Sequence, residues 1–95
     1  MASRVAPAAP KADRPRAQRL LEQARTKLPA EPDAALALLA QAEKADPTLG
    51  EVHKRAATAH QLKGDLASAK VELQRYLATN PPDAAKVRAV LSTLQ

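Results

Sequence analysis

The sequence predicts an all-α domain of about five helices paired into antiparallel hairpins. Three observations carry that reading. Of the 95 residues, 23 are Ala, 13 Leu and 5 Val, and Ala is the strongest helix former, with a side chain small enough to let helices come close. The residues that favour strands are nearly missing: there is no Ile, Phe or Trp and a single Tyr. Proline and glycine, eight and two in number, fall between apolar stretches of helical period rather than inside them. Leu and Val together make 18 of 95 residues, so the core is thin and of marginal stability at this chain length.

The elements follow in order. Residues 1–14 hold Pro7, Pro10, Arg4, Lys11 and Arg14 and read as a Pro/Ala/Arg-rich flexible linker or tail. Net charge is concentrated toward the start of the chain: residues 1–19 carry +4 of the chain's +5. Pro15 suits the first turn of a helix on which Leu20, Leu21, Ala24 and Leu28 share a face, and the stretch from Pro29 to Pro32 stops it. Glu31 or Asp33 caps a second helix bearing Ala35, Leu36, Leu38, Leu39 and Ala42, which ends before Pro47. Thr48-Leu49-Gly50-Glu51 fits a capping box opening the third helix. Gly64 closes that helix in a left-handed turn, and Asp65 caps the fourth, about Leu66 to Ala78, which stops at Asn80-Pro81-Pro82. Asp83 opens a last short helix with Val87, Val90, Leu91 and Leu94.

Comparing the chain with itself at an offset of 34 residues pairs Ala35 with Ala69, Leu39 with Leu73, Ala42 with Tyr76 and Pro47 with Pro81. This spacing of small, large, small-or-aromatic and proline resembles the second helix of the tetratricopeptide repeat (TPR) family. Ala57 and Gly64-Asp65 are similar to that family's first-helix small residue and turn. The first unit aligns after a one-residue gap, and Leu20 and His53 stand where the family usually has aromatic residues. The resemblance covers about residues 16–95. It implies a TPR-like right-handed array over residues 15–95: one repeat at about 15–47, a second at about 48–81 and a capping helix at about 82–95. Val87, Val90, Leu91 and Leu94 would cover the second unit, whereas the N-terminal edge lacks an equivalent cap and is open to self-association.

Function, by the same resemblance, lies on the concave face lined by the first helix of each unit, where partner peptides lie. Carried over by position, one row reads Leu21, Lys54 and Arg88 and the next Arg25, Thr58 and Ser92, with Glu51 and Gln61 flanking. Arg25, Lys54 and Arg88 imply a mildly basic groove suited to an acidic segment or a C-terminal carboxylate of another protein. The lysine and asparagine set of chaperone-binding members is not reproduced by Lys54 alone.

Other chemistry finds little support. Without Cys there is no thiol nucleophile or thiolate metal site, and two Gly cannot write a Walker loop or a dinucleotide fingerprint. His53 and His60 are seven residues apart, hence ~10.5 Å along a helix, too far to share a metal ion; both read as half-buried packing residues. Tyr76 reads as the largest core side chain, with its hydroxyl at the edge. The expectation is a non-catalytic interaction module with no cofactor, metal or small-molecule substrate. Two alternatives are a homodimer through the uncapped first helix and, more weakly, nucleic-acid binding by the basic tail, which has no aromatic residue for stacking. No apolar run approaches the ~18 residues of a membrane span, which points to a soluble, cytoplasmic chain. The Ala/Arg/Pro usage and linker-like start suggest part of a larger bacterial signalling or assembly protein, as its C-terminal domain.

Overall fold

A computed structural model describes residues 12–94 of the chain. They form five helices, α1 (Arg14–Lys27), α2 (Pro32–Ala45), α3 (Glu51–Leu62), α4 (Leu66–Leu77) and α5 (Ala84–Thr93). Each packs on the next in chain order, so two hairpins, α1/α2 and α3/α4, are followed by a single helix. Most of the expected tail, residues 1–11, lies outside the described residues. Asp13 and Arg14 belong to the folded unit.

The ends of the helices show how local chemistry sets these limits. Asp13 caps α1 by accepting the Arg16 amide at 3.1 Å, with Pro15 in the first turn. The Asp13 amide also donates to the Ala45 carbonyl (2.7 Å), and the Arg14 guanidinium donates to the Asp46 carboxylate. Asp46 is 2% exposed, and its second oxygen accepts the Thr48 amide (2.9 Å) and hydroxyl (2.6 Å). The Thr48 bonds, with Arg14 behind them, hold the Asp46 carboxyl below its ordinary 3.8.

That arrangement overturns the capping box. The Thr48 hydroxyl is engaged by Asp46, so α3 begins behind Gly50 with no side-chain cap, and Glu51 instead pairs with Arg55 one turn on (3.0 Å). Gly50 serves a close approach, since a Cβ there would lie 2.7 Å from the Thr79 hydroxyl oxygen. Neither Glu31 nor Asp33 caps α2. Glu31 holds the cap position without a side-chain bond, Pro32 has no amide to satisfy, and Asp33 pairs across to Lys63. The turn after α3 is as expected. Gly64 sits at φ +79°, the Gly64 and Asp65 amides donate to the Gln61 and His60 carbonyls, and the Asp65 carboxylate accepts the Ser68 amide.

Packing follows the repeat. Ala35 and Ala69 are wholly buried, Leu39 and Leu73 fill the space beside them, and Ala42 and Tyr76 close each unit. One core joins Ala17, Leu21 and Ala24 of α1 to the α2 residues and to Val52 and Ala56 of α3. The second joins Ala57, Ala69, Leu73, Tyr76 and Val87.

The end helices depart from the 34-residue register by one residue each. Buried Val52, Ala56 and Ala59 form the inward seam of α3. Thirty-four residues on stand Lys86, Val90 and Thr93, all exposed; thirty-five on stand Val87, Leu91 and Leu94, which pack on the second core. The extra residue is Pro82, because Asn80-Pro81-Pro82 has two prolines where Asp46-Pro47 has one. One residue turns a helix by ~100°. Val90, expected in the cap, is therefore 40% exposed. On α1 the one-residue gap works the other way. The seam positions there are Arg19, Gln23 and Thr26, all exposed, so the N-terminal edge expected to be uncapped closes itself with polar side chains.

Leu39→Ala is expected to cost about 2–5 kcal/mol, much of the stability of a domain this small. Urea unfolding followed by circular dichroism measures it. Leu62→Ala, removing a side chain 48% exposed, is the control and should shift the midpoint little.

Candidate partner-binding groove

The first helix of each unit presents a second face along the inside of the array. Between α1 and α3 lies a cavity of about 390 Å³ lined by Arg25, Leu28 and Pro29 on one side and Arg55, Thr58 and Leu62 on the other. Between α3 and α5 lies one of about 220 Å³. Its walls are Lys54, Thr58 and Gln61 facing Asp83, Lys86 and Val90, with Leu73 and Val87 completing the lining. Thr58 belongs to both cavities, which makes it the ridge between two halves of one groove.

Of the eight residues expected here, Arg25, Lys54, Thr58 and Gln61 are brought together. Leu21 is not available, being 5% exposed within the first core. Glu51 pairs with Arg55 and lines a separate open depression of about 470 Å³ beside Tyr76, Thr79 and Pro81. Arg88 and Ser92 are exposed on α5 but line neither half of the groove. The rotation introduced by Pro82 puts Lys86 and Val90 there instead. A comparison of Asp46-Pro47 with Asn80-Pro81-Pro82 carries the signal that would have found them. Leu28, Arg55 and Leu62 were missed because the two expected rows followed one side of α3 and the groove uses both.

Charge in the groove is mostly answered from within. Glu22 takes Arg25 (2.7 Å) and Glu51 takes Arg55. Lys54 donates to Asp83 Oδ2 at 2.7 Å, while the Tyr76 hydroxyl donates to Oδ1 at 2.6 Å and the Lys54 ammonium lies 5.5 Å from the Tyr76 ring centroid. This clasp ties α3, α4 and the start of α5 together, and it occupies Asp83, which stands at the cap position of α5 but makes no side-chain cap bond. Lys54 and then Tyr76 hold the Asp83 carboxyl below its ordinary 3.8. Reciprocally, the bond to Asp83, then burial, raises the Tyr76 phenol to about 12. The basic groove expected from Arg25, Lys54 and Arg88 is corrected accordingly. Lys86 is its lining cation without a carboxylate partner among the described residues.

The histidines sit in the packing. His53 is 8% exposed with Nδ1 2.8 Å from Glu72, and His60 is half-buried with Nδ1 3.7 Å from the Asp65 carboxylate. Among the described residues no group of three or more His, Cys, Asp or Glu is placed to hold a metal ion, and no helix is long and apolar enough to cross a membrane.

A sequence model of the tetratricopeptide repeat matches residues 30–94, from α2 through α5. The chain belongs to the TPR family. No curated protein and no solved structure matches it in the same comparisons. TPR units generally mediate protein–protein interaction, and here the family's units are two hairpins followed by a closing helix.

The clasp gives a direct readout because Tyr76 is the only tyrosine of the chain. Tyrosinate absorbance should titrate with a midpoint near 12 rather than 10.0, and Asp83→Asn should bring it back toward 10.0. The stability from this bond is present below pH 10.0 and is lost as pH rises toward 12. That from the depressed Asp46 and Asp83 carboxyls is present above pH 3.8 and is lost as pH falls below it. Thermal unfolding across pH measures both flanks, and Tyr76→Phe should remove the phenol's share of the alkaline one.

Proposed function

We propose that this TPR domain is an adaptor that seats a segment of another protein in the groove shared by α1, α3 and α5. The observation that carries this is that Thr58 lines both cavities, one on each side of α3. Their lining supports the kind of segment. Leu28, Pro29 and Leu62 at one end and Val90 at the other offer apolar seats, and Leu62 and Val90 are 48% and 40% exposed. An acidic residue or a terminal carboxylate fits beside Lys86, the remaining cations being held by Glu22, Asp83 and Glu51. The partner segment is thus apolar first and acidic at one position. The Ala/Arg/Pro-rich usage supports a place in a larger bacterial signalling or assembly protein.

Self-association through α1 is the weaker reading. Its outer face carries Arg16 and Arg19, so a symmetric contact would set like charges against each other.

A displayed peptide library selected on the wild-type chain supplies ligands for the test. Thr58→Trp places an indole at the position the two cavities share, from an exposed site, and affinity for the selected peptides should fall at least tenfold with the circular dichroism unchanged. Lys86→Glu should weaken only peptides that contain an acidic residue, by about tenfold or less. Equal affinity of the Thr58→Trp and wild-type chains removes the groove as the docking site.

A further inference from the structure

The repeat register singles out one more face. Where α3 turns Val52, Ala56 and Ala59 against the preceding hairpin, α1 carries Arg19, Gln23 and Thr26 at the matching positions, with Arg16 one turn before them. All four are exposed. In the middle of the array this face is an apolar seam; at its edge it is a polar row with two arginines, in which the Thr26 hydroxyl donates to the Gln23 carbonyl.

Among the described residues the excess charge lies on the same helix: residues 12–27 hold five basic and two acidic residues, while residues 28–94 hold eight of each and are neutral. Arg14 and Arg25 are held by Asp46 and Glu22, but Arg16 and Arg19 have no carboxylate partner among the described residues. Beyond the capping Asp13 the first turn of α1 contains no acid, and Arg14 and Arg16 stand there instead.

We propose that the outer edge of α1 is a second docking surface, separate from the groove, that takes an acidic segment of a partner protein. Arginine forks fit carboxylates in pairs, and Arg16 and Arg19 stand one turn apart, ~4.5 Å along the axis, which matches side chains one turn apart on an acidic helix. Gln23 and Thr26 continue the row with polar contacts. A phosphate backbone is the poorer fit. The only aromatic residue is the buried Tyr76, and two arginines neutralise few phosphates, whereas duplex binding draws its strength from many. The face also has no exposed apolar side chain to enter a lipid surface.

Fluorescence anisotropy at about 100 mM salt tests this, with a labelled glutamate-rich peptide and a labelled duplex DNA as probes. The wild-type chain should bind the peptide more tightly than the duplex. R16E/R19E should bind the peptide at least tenfold more weakly, while K44E/R88E, which changes charge equally at exposed sites elsewhere, should stay within about twofold. R16Q/R19Q serves if the double reversal fails to fold, and should also lose affinity. Thr58→Trp should bind the peptide as wild type does, which separates this surface from the groove. No binding by the wild-type chain, equal losses in R16E/R19E and K44E/R88E, or tighter binding of the duplex overturns the proposal.

Discussion

The structure depends on helices that approach closely at alanine. Ala17, Ala24, Ala35, Ala42 and Ala69 are wholly buried, and none brings bulk to the place where two helices cross. Leucine at the next turn, Leu39 in one unit and Leu73 in the other, fills the gap that close approach leaves. Because dispersion and burial come from so few large side chains, the position of each matters more than its hydrophobicity. Ala42 and Tyr76 show the tolerance of this scheme. They are equivalent in register, yet only the second unit needs a large residue, since Tyr76 must reach both the core and the Asp83 carboxylate that anchors α5.

Close packing makes register the next constraint, and here single residues in the connections decide it. Proline ends each unit, but the number of residues around it sets the angle at which the following helix presents its faces. One extra proline before α5 turns Val87, Leu91 and Leu94 inward and moves Lys86 and Val90 to the groove. The one-residue gap after α1 leaves Arg19, Gln23 and Thr26 where the seam would otherwise be. The same alanine and leucine pattern thus yields an inner seam, a closing helix and a polar edge.

This explains what could be read from the amino acids alone. The number of helices, their stops and the paired alanines and leucines were legible, because each is a local signal or a repeat of one. Four of the eight groove residues, Arg25, Lys54, Thr58 and Gln61, were legible through the repeat, since α1 and α3 keep the register assumed for them. Arg88 and Ser92 were not, because a carry-over at constant spacing cannot see a rotation of the last helix. The caps failed for a different reason. Thr48 stands two residues before Gly50, the actual cap position, and gives its hydroxyl to the Asp46 carboxylate two residues back; Asp83 holds its cap position but is taken by the Lys54 ammonium. Competition of the second kind joins residues far apart in the chain, as the Arg14 guanidinium does with Asp46 and Thr48, 32 and 34 residues away, and no local pattern encodes it.

Charge divides the surface in a way that follows from these same contacts. Of the cations lining the groove, three bring their own acid, Glu22 for Arg25, Asp83 for Lys54 and Glu51 for Arg55, and Lys86 does not. Such pairs remove the cost of holding a charge near an apolar wall, and they leave the groove with a weak field of its own. The edge of α1 has no wall to satisfy, and among the described residues no carboxylate pairs with the Arg16 or Arg19 guanidinium. A partner drawn from a distance would therefore be steered toward the edge, whereas a segment held by shape would settle in the groove. Two hairpins of one repeat pattern would in this way separate a site that attracts from a site that fits, through the placement of acids rather than of bases.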